Sequence, residues 1–348
     1  MKIALLCDTH FGARNDSPIF LHHFFRFVDE VFLPYLAENN ITQVIHLGDI
    51  LDRRKFVNFA TLRETRKRFV DPLNERGIKT IVLLGNHDTF FRNTSEINSV
   101  EELFLKEDNL TLIKDPCQVD IGGTKFLLLP WINKANEEAS RKLIKESDAP
   151  IVLGHLEING YEVQRGTRFE GGEMEAESFS RFEAVYSGHF HCKHNRSNIH
   201  FLGTPYQITF NDLDEPKGFH IFDTVDHSVK FIPNPLRMFV ELVYDDSVND
   251  YSQPKPMTEI KNTFVRVKVL KKNDPLMFDN YMDSVNASGA HAVTVIEDKN
   301  CGIELTQDID ISKDTLEIIN QEIDQLDVVN PTKLKTIVRE LYMESLFA

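Results

Sequence analysis

The chain has 348 residues, 41% of them hydrophobic, and a formal net charge of −15. That length predicts two or three domains, and the apolar content excludes a disordered chain. The charge excludes a general nucleic-acid coat but leaves DNA open as a substrate met by a local basic path.

The first apolar run, Lys2 to Cys7, is short and stops at Asp8, so no signal peptide is expected. No run nears ~20 apolar residues, so no membrane span is expected. Cys7, Cys117, Cys192 and Cys301 show no CxxC spacing and read as reduced thiols of a cytoplasmic protein. Residues 17 to 38 carry Ile19, Phe20, Phe24, Phe27, Val28, Val31 and Phe32 near helical period, which predicts an amphipathic helix. A second helix is expected from Thr61 to Glu75, with Arg63, Arg66, Lys67 and Arg68 on a solvated or phosphate-contacting face and Gly77 as its C-cap. Ser95 to Lys106 suits a short helix. Thr111 to Ile113 and Lys125 to Leu129 suit strands of a second sheet layer, with Gly122-Gly123 as a hairpin turn. Glu137 to Glu146 is helical in pattern, and Gly160 to Glu177 reads as a surface loop. Ile199 to Leu202 and Lys217 to Thr224 are expected to return through the second sheet.

The pattern changes near Asn234-Pro235. Arg237 to Tyr244 and Thr263 to Leu270 alternate as strands, Pro275 to Asn286 as a helix, and Ala292 to Ile296 as a strand. This predicts a small α+β module at 237–300 after a larger domain at 1–236. The tail, 301–348, is a linker followed by helices. Ser312 is an N-cap candidate, Asn330-Pro331 restarts the chain, and two apolar stripes follow. So small a helical hairpin cannot bury both stripes by itself, so it docks on this chain or on a partner.

One grammar recurs along the first domain. Five apolar runs end in ligand-type residues: Asp8-Thr9-His10, Gly48-Asp49, Gly85-Asn86-His87-Asp88, Gly154-His155 and Gly188-His189-Phe190-His191. Sites in α/β sheets form outside the carboxyl ends of strands, so these five ends are expected to converge. Carboxylate, amide oxygen and imidazole together suit two hard divalent cations ~3.5–4 Å apart. Asp8, His10 and His191 are assigned to one ion, Asn86, His155 and His189 to the other, and Asp49 to the bridge. A water held between two such cations is a strong nucleophile near neutral pH. His87 is left over and is assigned as general acid, with Asp52 holding its ring. Asp88 suits a structural hydrogen-bonding role at least as well as a catalytic one. Mn²⁺, Mg²⁺, Fe and Zn²⁺ all remain open as the metal.

The ordered set Asp-x-His, Gly-Asp-x-x-Asp, Gly-Asn-His-Asp, Gly-His and Gly-His-x-His resembles the calcineurin-like metallophosphoesterase superfamily over about residues 1 to 230. Narrower features resemble the SbcD-type DNA repair nucleases, the meiotic-recombination-eleven group, and within it the T-even phage recombination endonuclease subunits. These are Asp8-Thr9-His10-Phe11-Gly12, Gly203-Thr204-Pro205-Tyr206-Gln207 and Pro216-Lys217-Gly218-Phe219, with Leu129-Pro130-Trp131, Gly154 to Gly160 and Phe231 to Asn234. The resemblance implies a four-layer α/β/β/α metallophosphoesterase domain, a capping domain and a C-terminal helical hairpin. It implies a manganese-dependent 3′-to-5′ exonuclease and single-strand endonuclease acting in double-strand-break repair and recombination. It further implies an SbcC-like coiled-coil ABC ATPase bound through the C-terminal helices, and a homodimer, for which the Phe-rich helix at 19 to 32 is either a surface or only core. The DNA path is expected at Arg14, Arg53, Arg54, Lys55, Arg165 and Arg168, placed by loops beside the ligands.

Two other readings fit parts of this pattern. A phosphatase or cyclic-nucleotide phosphodiesterase would use the same metal core, but has little use for a capping module and exposed tail helices. A non-catalytic subunit of a repair complex would be expected to have lost at least one ligand, and none is missing.

Overall fold

The computed structural model describes residues 1–104, 109–164, 166–170, 172, 174–252, 257–297, 323 and 334–335. The chain divides into two compact units, Met1–Glu297 and Asp298–Ala348. The expected tail helices lie outside the described residues, except that Ile323, Leu334 and Lys335 are helical.

Two six-stranded sheets form the centre of the first unit. The first runs in the order Val229–Pro233, Gly218–Asp223, Lys2–Leu6, Gln43–His46, Lys79–Leu83, Leu110–Ile113, with the last four mutually parallel. The second runs His194–Arg196, Ile199–Phe201, Ala184–Gly188, Ile151–His155, Thr124–Leu129, Cys117–Ile121. Side chains alternate faces along a strand, and Lys2–Leu6 illustrates the consequence. Ile3 and Leu5 pack between the sheets against Phe126, Leu128, Ile151 and Leu153. Ala4 and Leu6 face the opposite way, into a Phe-rich core under helices. The second sheet does the same: Leu127 and Leu129 join a separate core with Ile144 and Phe179. The result is the four-layer α/β/β/α arrangement.

Three expectations need correction. Leu110–Ile113 pairs with Lys79–Leu83 and Gly218–Asp223 pairs with Lys2–Leu6, so both lie in the first sheet. A short apolar run buried on both faces looks alike in either sheet. The helix expected over Ser95–Lys106 is shorter among the described residues, Ser99–Phe104. The Phe-rich helix at 19–32 is core: Phe20, Phe24, Phe25, Phe27 and Phe32 are all buried, so these rings offer no dimer surface.

Both long helices widen by one residue in mid-course. Val28–Phe32 and Arg66–Val70 are π-helical turns, followed by Leu33–Glu38 and Asp71–Glu75. Each widening closes just ahead of a proline, Pro34 or Pro72. Proline has no N–H and its ring clashes with the carbonyl four residues back. An i→i−5 turn relieves that clash without ending the helix, and Leu33 N donates to Val28 O and Asp71 N to Arg66 O accordingly.

The capping module is a parallel sheet of Phe239–Asp245, Phe264–Lys271 and Ala292–Glu297 with the helix Pro275–Ala287 packed on it. Asp274 caps that helix by accepting from Leu276 and Met277 N–H, with Pro275 opening the first turn. Its own core is built on Tyr244, Val265, Val267, Tyr281 and Val285. Phe20 stacks on Phe264 at 5.6 Å, tying the module to the Phe-rich core. No helix among the described residues is long and apolar enough to cross a membrane.

Candidate dimetal centre

The loops after five parallel strands meet at one end of the two facing sheets. Lys2–Leu6, Gln43–His46 and Lys79–Leu83 of the first sheet deliver Asp8 and His10, Asp49, and Asn86 to Asp88. Ile151–His155 and Ala184–Gly188 of the second deliver His155, His189 and His191. The turns are tight. Asp8, His10, Asp49 and His189 all take left-handed backbone conformations, with φ of 51°, 43°, 57° and 83°. Such conformations cost non-glycine residues energy and persist where the surroundings over-determine them, as at functional sites. Gly85 shows why no side chain is tolerated between these turns: a Cβ there would sit 2.1 Å from Asp49 Oδ1.

Three groups of donors result among the described residues, and one of them, His10, Asp52 and His87, includes the histidine left over from the expected ligand set. Asp8, His10 and His191 bring one ligand atom each within 4.8 Å of one another, and so do Asp49, His155 and His189. His10 Nε2 and His191 Nε2 face each other at 3.0 Å. Asn86 Oδ1 is 2.9 Å from both His155 Nε2 and His189 Nδ1. Asp49 Oδ2 lies between the groups, 3.7 Å from His10 Nε2 and 3.4 Å from His155 Nε2. The hydrogen-bond partners fix some of the roles. His155 Nδ1 donates to Leu47 O at 2.7 Å, which turns its Nε2 lone pair toward Asn86 Oδ1 and Asp49 Oδ2. Lone pairs facing one another at such distances need a cation among them.

The electrostatics agree. Burial alone would lower the His10 imidazole, but Asp52, Asp49 and Asp8 outweigh it and push it up to about 9. Burial opposes the charge on His155 too, and Asp49 and Asp8 bring it up to about 9. Burial, reinforced by the positive charge on those two, pushes His189 down to about 3 and holds His191 well below the usual range. Burial would raise Asp49, yet His155 and His87 hold it well below the usual carboxylate range. In each imidazole pair the surroundings thus favour the charged form of one ring and the neutral form of the other. The mixed N and O donors of these groups fit a divalent ion.

Residues 1–193 match the calcineurin-like phosphoesterase family. The chain belongs to that family. It is 29% identical over 324 residues to exonuclease subunit 1 of enterobacteria phage T4, covering 92% of this chain and 91% of that protein. It is 25% identical over 316 residues to a subunit of the SbcCD nuclease of Staphylococcus epidermidis, covering 80% and 82%. Among solved structures it aligns with an archaeal phosphodiesterase at 15% identity and a TM-score of 0.35, covering 67% of this chain and 100% of that one, a likeness too loose to carry an argument.

In this phosphoesterase the remaining candidates fall in different places. His87 is half-buried at the rim, its ring edge-on to His10 at 4.9 Å. Its Nδ1 meets the main-chain carbonyl of Asp52, so Nδ1 carries the hydrogen of that contact and Nε2 is left outside it. The Asp52 carboxylate does not hold His87 as expected; it faces His10 Nδ1 at 3.4 Å. Sequence spacing placed Asp52 correctly beside His87 but could not tell its carbonyl from its side chain. Asp88 is structural: its carboxylate accepts from the N–H groups of Asp49, Ile50 and Gly85 at 2.8, 3.0 and 2.9 Å and pins two site loops together.

The expected DNA path is only partly available. Arg53 pairs with Asp16 at 3.2 Å and also donates to Asn15, while Arg14 lies over Phe20. On the neighbouring helix, Arg66 donates to Leu103 O and Arg68 to Asp29, so these cations hold the chain's own parts. Arg54 and Lys55 stand over the rings of Trp131 and Phe90. Arg168 is exposed on a small hairpin with Glu162–Gln164, and Arg165 lies outside the described residues.

Three supporting residues were not singled out as site residues from the sequence. Lys217 is buried and donates to His191 O at 2.8 Å while pairing with Asp212 at 2.7 Å. Glu157 Oε1 stands 3.4 Å from His189 Nε2 and accepts from Trp131 Nε1 at 3.1 Å. Tyr206 OH donates to Thr9 O, bracing the first ligand loop. Lys217 and Tyr206 sit in the motifs that carried the narrower resemblance, and that was the available signal.

Proposed function

We propose that this chain is the metal-dependent nuclease subunit of a DNA repair or recombination complex, cleaving DNA as a 3′-to-5′ exonuclease and single-strand endonuclease. The observation that carries it is a full donor set, Asp8, His10, Asp49, Asn86, His155, His189 and His191, converging in a phosphoesterase whose relatives, matched over nearly their whole length, are named nucleases. Two divalent ions, Mn²⁺ first among them, would be held by Asp8, His10 and His191 on one side and Asn86, His155 and His189 on the other, with Asp49 shared. Bound there, they supply charge neutralisation and an activated water.

The chain's own groups do the rest. Leu47 O keeps His155 in one tautomer, and Lys217 keeps the His191 loop in place. His87, its Nδ1 held by Asp52 O, has Nε2 free to give a proton to the leaving 3′ or 5′ oxygen. The half-buried rim gives that proton exchange with water. Both relatives are named as subunits. The two apolar stripes of the tail sequence suit an SbcC-like ATPase partner, bound through residues 309–348. A homodimer through the nuclease domain would have to use surface other than the buried Phe rings of the 19–32 helix.

The test is digestion by the Mn²⁺-loaded protein of end-labelled duplex and single-stranded DNA, run beside p-nitrophenyl phosphate and cyclic nucleotides. DNA breakdown that disappears with Asp49→Ala is expected. Hydrolysis of the small esters alone would move the assignment to a phosphatase or cyclic-nucleotide phosphodiesterase.

A further inference from the structure

Exposed aromatic side chains are unevenly distributed in this protein. It has 26 phenylalanines, and among the described residues three are strongly exposed: Phe56 at 64%, Phe59 at 85% and Phe91 at 46%. Phe56 and Phe91 lie on the two loops that border the candidate centre, and Phe59 opens the helix that follows the first of them. Phe56 is four residues past Asp52, whose carbonyl holds His87, and Phe91 is four residues past His87. The loops touch: Lys55 Nζ stands over the Phe90 ring at 5.7 Å, and Phe90 packs edge-on to Phe91 at 4.8 Å. The second loop is closed on itself by Phe90 N donating to Ile97 O and by the Thr89–Asn98 bridge, so Phe91 is carried on a defined turn.

Cations are interleaved with these rings. Arg53 lies over Phe56 at 4.9 Å and Arg54 over Trp131 at 5.1 Å. Trp131 reaches the centre through Glu157, which faces His189. Arg54, Lys55 and Arg92 have no carboxylate at ion-pair distance among the described residues, in a chain of net charge −15. Arg54 Nη1 is buried with no hydrogen-bond partner. Arg92 is near enough to help hold the Arg54 guanidinium below its ordinary range, after the larger effect of burial. Cations gathered this way in an acidic protein suit an anionic chain, and exposed aromatic rings beside them suit flat apolar rings. A single nucleic-acid strand offers both at once. Paired bases keep their faces stacked inside the duplex and could not use Phe56 or Phe91.

We infer that this strip is a stacking platform for unpaired bases next to the scissile phosphate, with Phe56 and Phe91 as the base-binding faces and Arg54, Lys55 and Arg92 on the backbone. The inference rests on the nuclease reading for the phosphate it positions. It makes the strip the determinant of preference for single strands and frayed ends.

The experiment uses metal-loaded full-length protein and two labelled strands of equal length, a short oligothymidylate and its fully abasic counterpart. Both carry phosphorothioate linkages to slow cleavage, and binding is read by fluorescence anisotropy. The oligothymidylate is expected to bind roughly ten-fold or more tightly than the abasic strand. Phe56→Ala and Phe91→Ala are each expected to weaken the oligothymidylate roughly five-fold or more, with little change for the abasic strand. Arg92→Gln should weaken both strands alike and reduce the salt slope. Equal affinity for the two strands, or a loss in the Phe variants that is the same on both, overturns the platform. Base-dependent binding with no Mn²⁺-dependent cleavage of ordinary linkages would remove the nuclease reading and leave the platform standing.

Discussion

His87 is the residue whose role is most exposed to test. Its Nδ1 is committed to Asp52 O, and it stands with His10 and Asp52 in a third donor group, outside the two built on Asp8 and Asp49. His87→Asn is therefore expected to keep the metal content of the wild type, read by elemental analysis, while DNA cleavage falls by about 10²–10⁴-fold, the usual contribution of a positioned general acid. The loss should be smaller on a p-nitrophenyl diester, whose leaving group needs little protonation. An equal loss on both substrates would mean that His87 acts on binding or on the metals instead. At this scale the sequence was informative, because carboxylates, an amide and imidazoles at strand ends have few structural uses together. What it could not carry was direction. Asp52 and His87 are neighbours, but the carboxylate turned toward His10, and Asp88 turned inward to four backbone N–H groups.

Between elements, the segment from Gly203 to Lys217 does work that its composition does not announce. Gln207 Oε1 accepts from both Met238 and Phe239 N–H at the start of the capping module, and its Nε2 donates to Asp212 and Leu213 carbonyls. One buried amide thus joins the phosphoesterase layers to the cap. Lys217 sits at the other end of this segment. Replacing it by Met leaves Asp212 and Glu215 buried without their cation, a change that typically costs about 3–5 kcal/mol. It also removes the donor on His191 O. Lys217→Met is expected to lower the urea midpoint and to weaken Mn²⁺ binding about 10–100-fold, in line with losses of outer-sphere partners. Wild-type metal affinity in a destabilised variant would show that Thr204 N, which also donates to His191 O at 3.2 Å, fixes the His191 loop without Lys217. The motifs Gly203 to Gln207 and Pro216 to Phe219 singled out Gln207 and Lys217 but not their distant partners, because the bonds to His191 O, Met238 N and Phe239 N join residues 26 to 32 apart in the chain. The same limit misplaced Leu110–Ile113 and Gly218–Asp223 in the second sheet, because local pattern shows that a strand is buried and not which neighbour buries it. The capping module was legible, strand by strand, because its alternation and its Asp274-Pro275 helix start are local signals.

Over the whole molecule, the two-sided burial that makes four layers also buries histidines outside the donor groups of the centre. His220 lies in the first sheet against the Phe231 ring, His23 on the buried face of the Phe-rich helix and His46 at the end of a central strand. Burial pushes them down to about 3, 4 and 3 respectively, while an unfolded histidine titrates near 6.5. The unfolded chain therefore takes up protons below pH 6.5 that the native state refuses. Their stabilising contribution is complete above about pH 6.5 and is lost progressively as the pH falls toward the folded values, at up to about 1.4 kcal/mol per pH unit for each histidine. His220→Phe keeps an aromatic ring against Phe231 and removes one of these groups. Urea unfolding of the wild type and His220→Phe between pH 6.5 and 4.5 isolates it, because every other titrating group is common to both proteins. The wild type is expected to lose stability faster than the variant by about 1 kcal/mol per pH unit over that window. Parallel curves would mean that the native state protonates His220 as readily as the unfolded chain does, and that the sheet edge beside Val229–Pro233 opens to water on acidification.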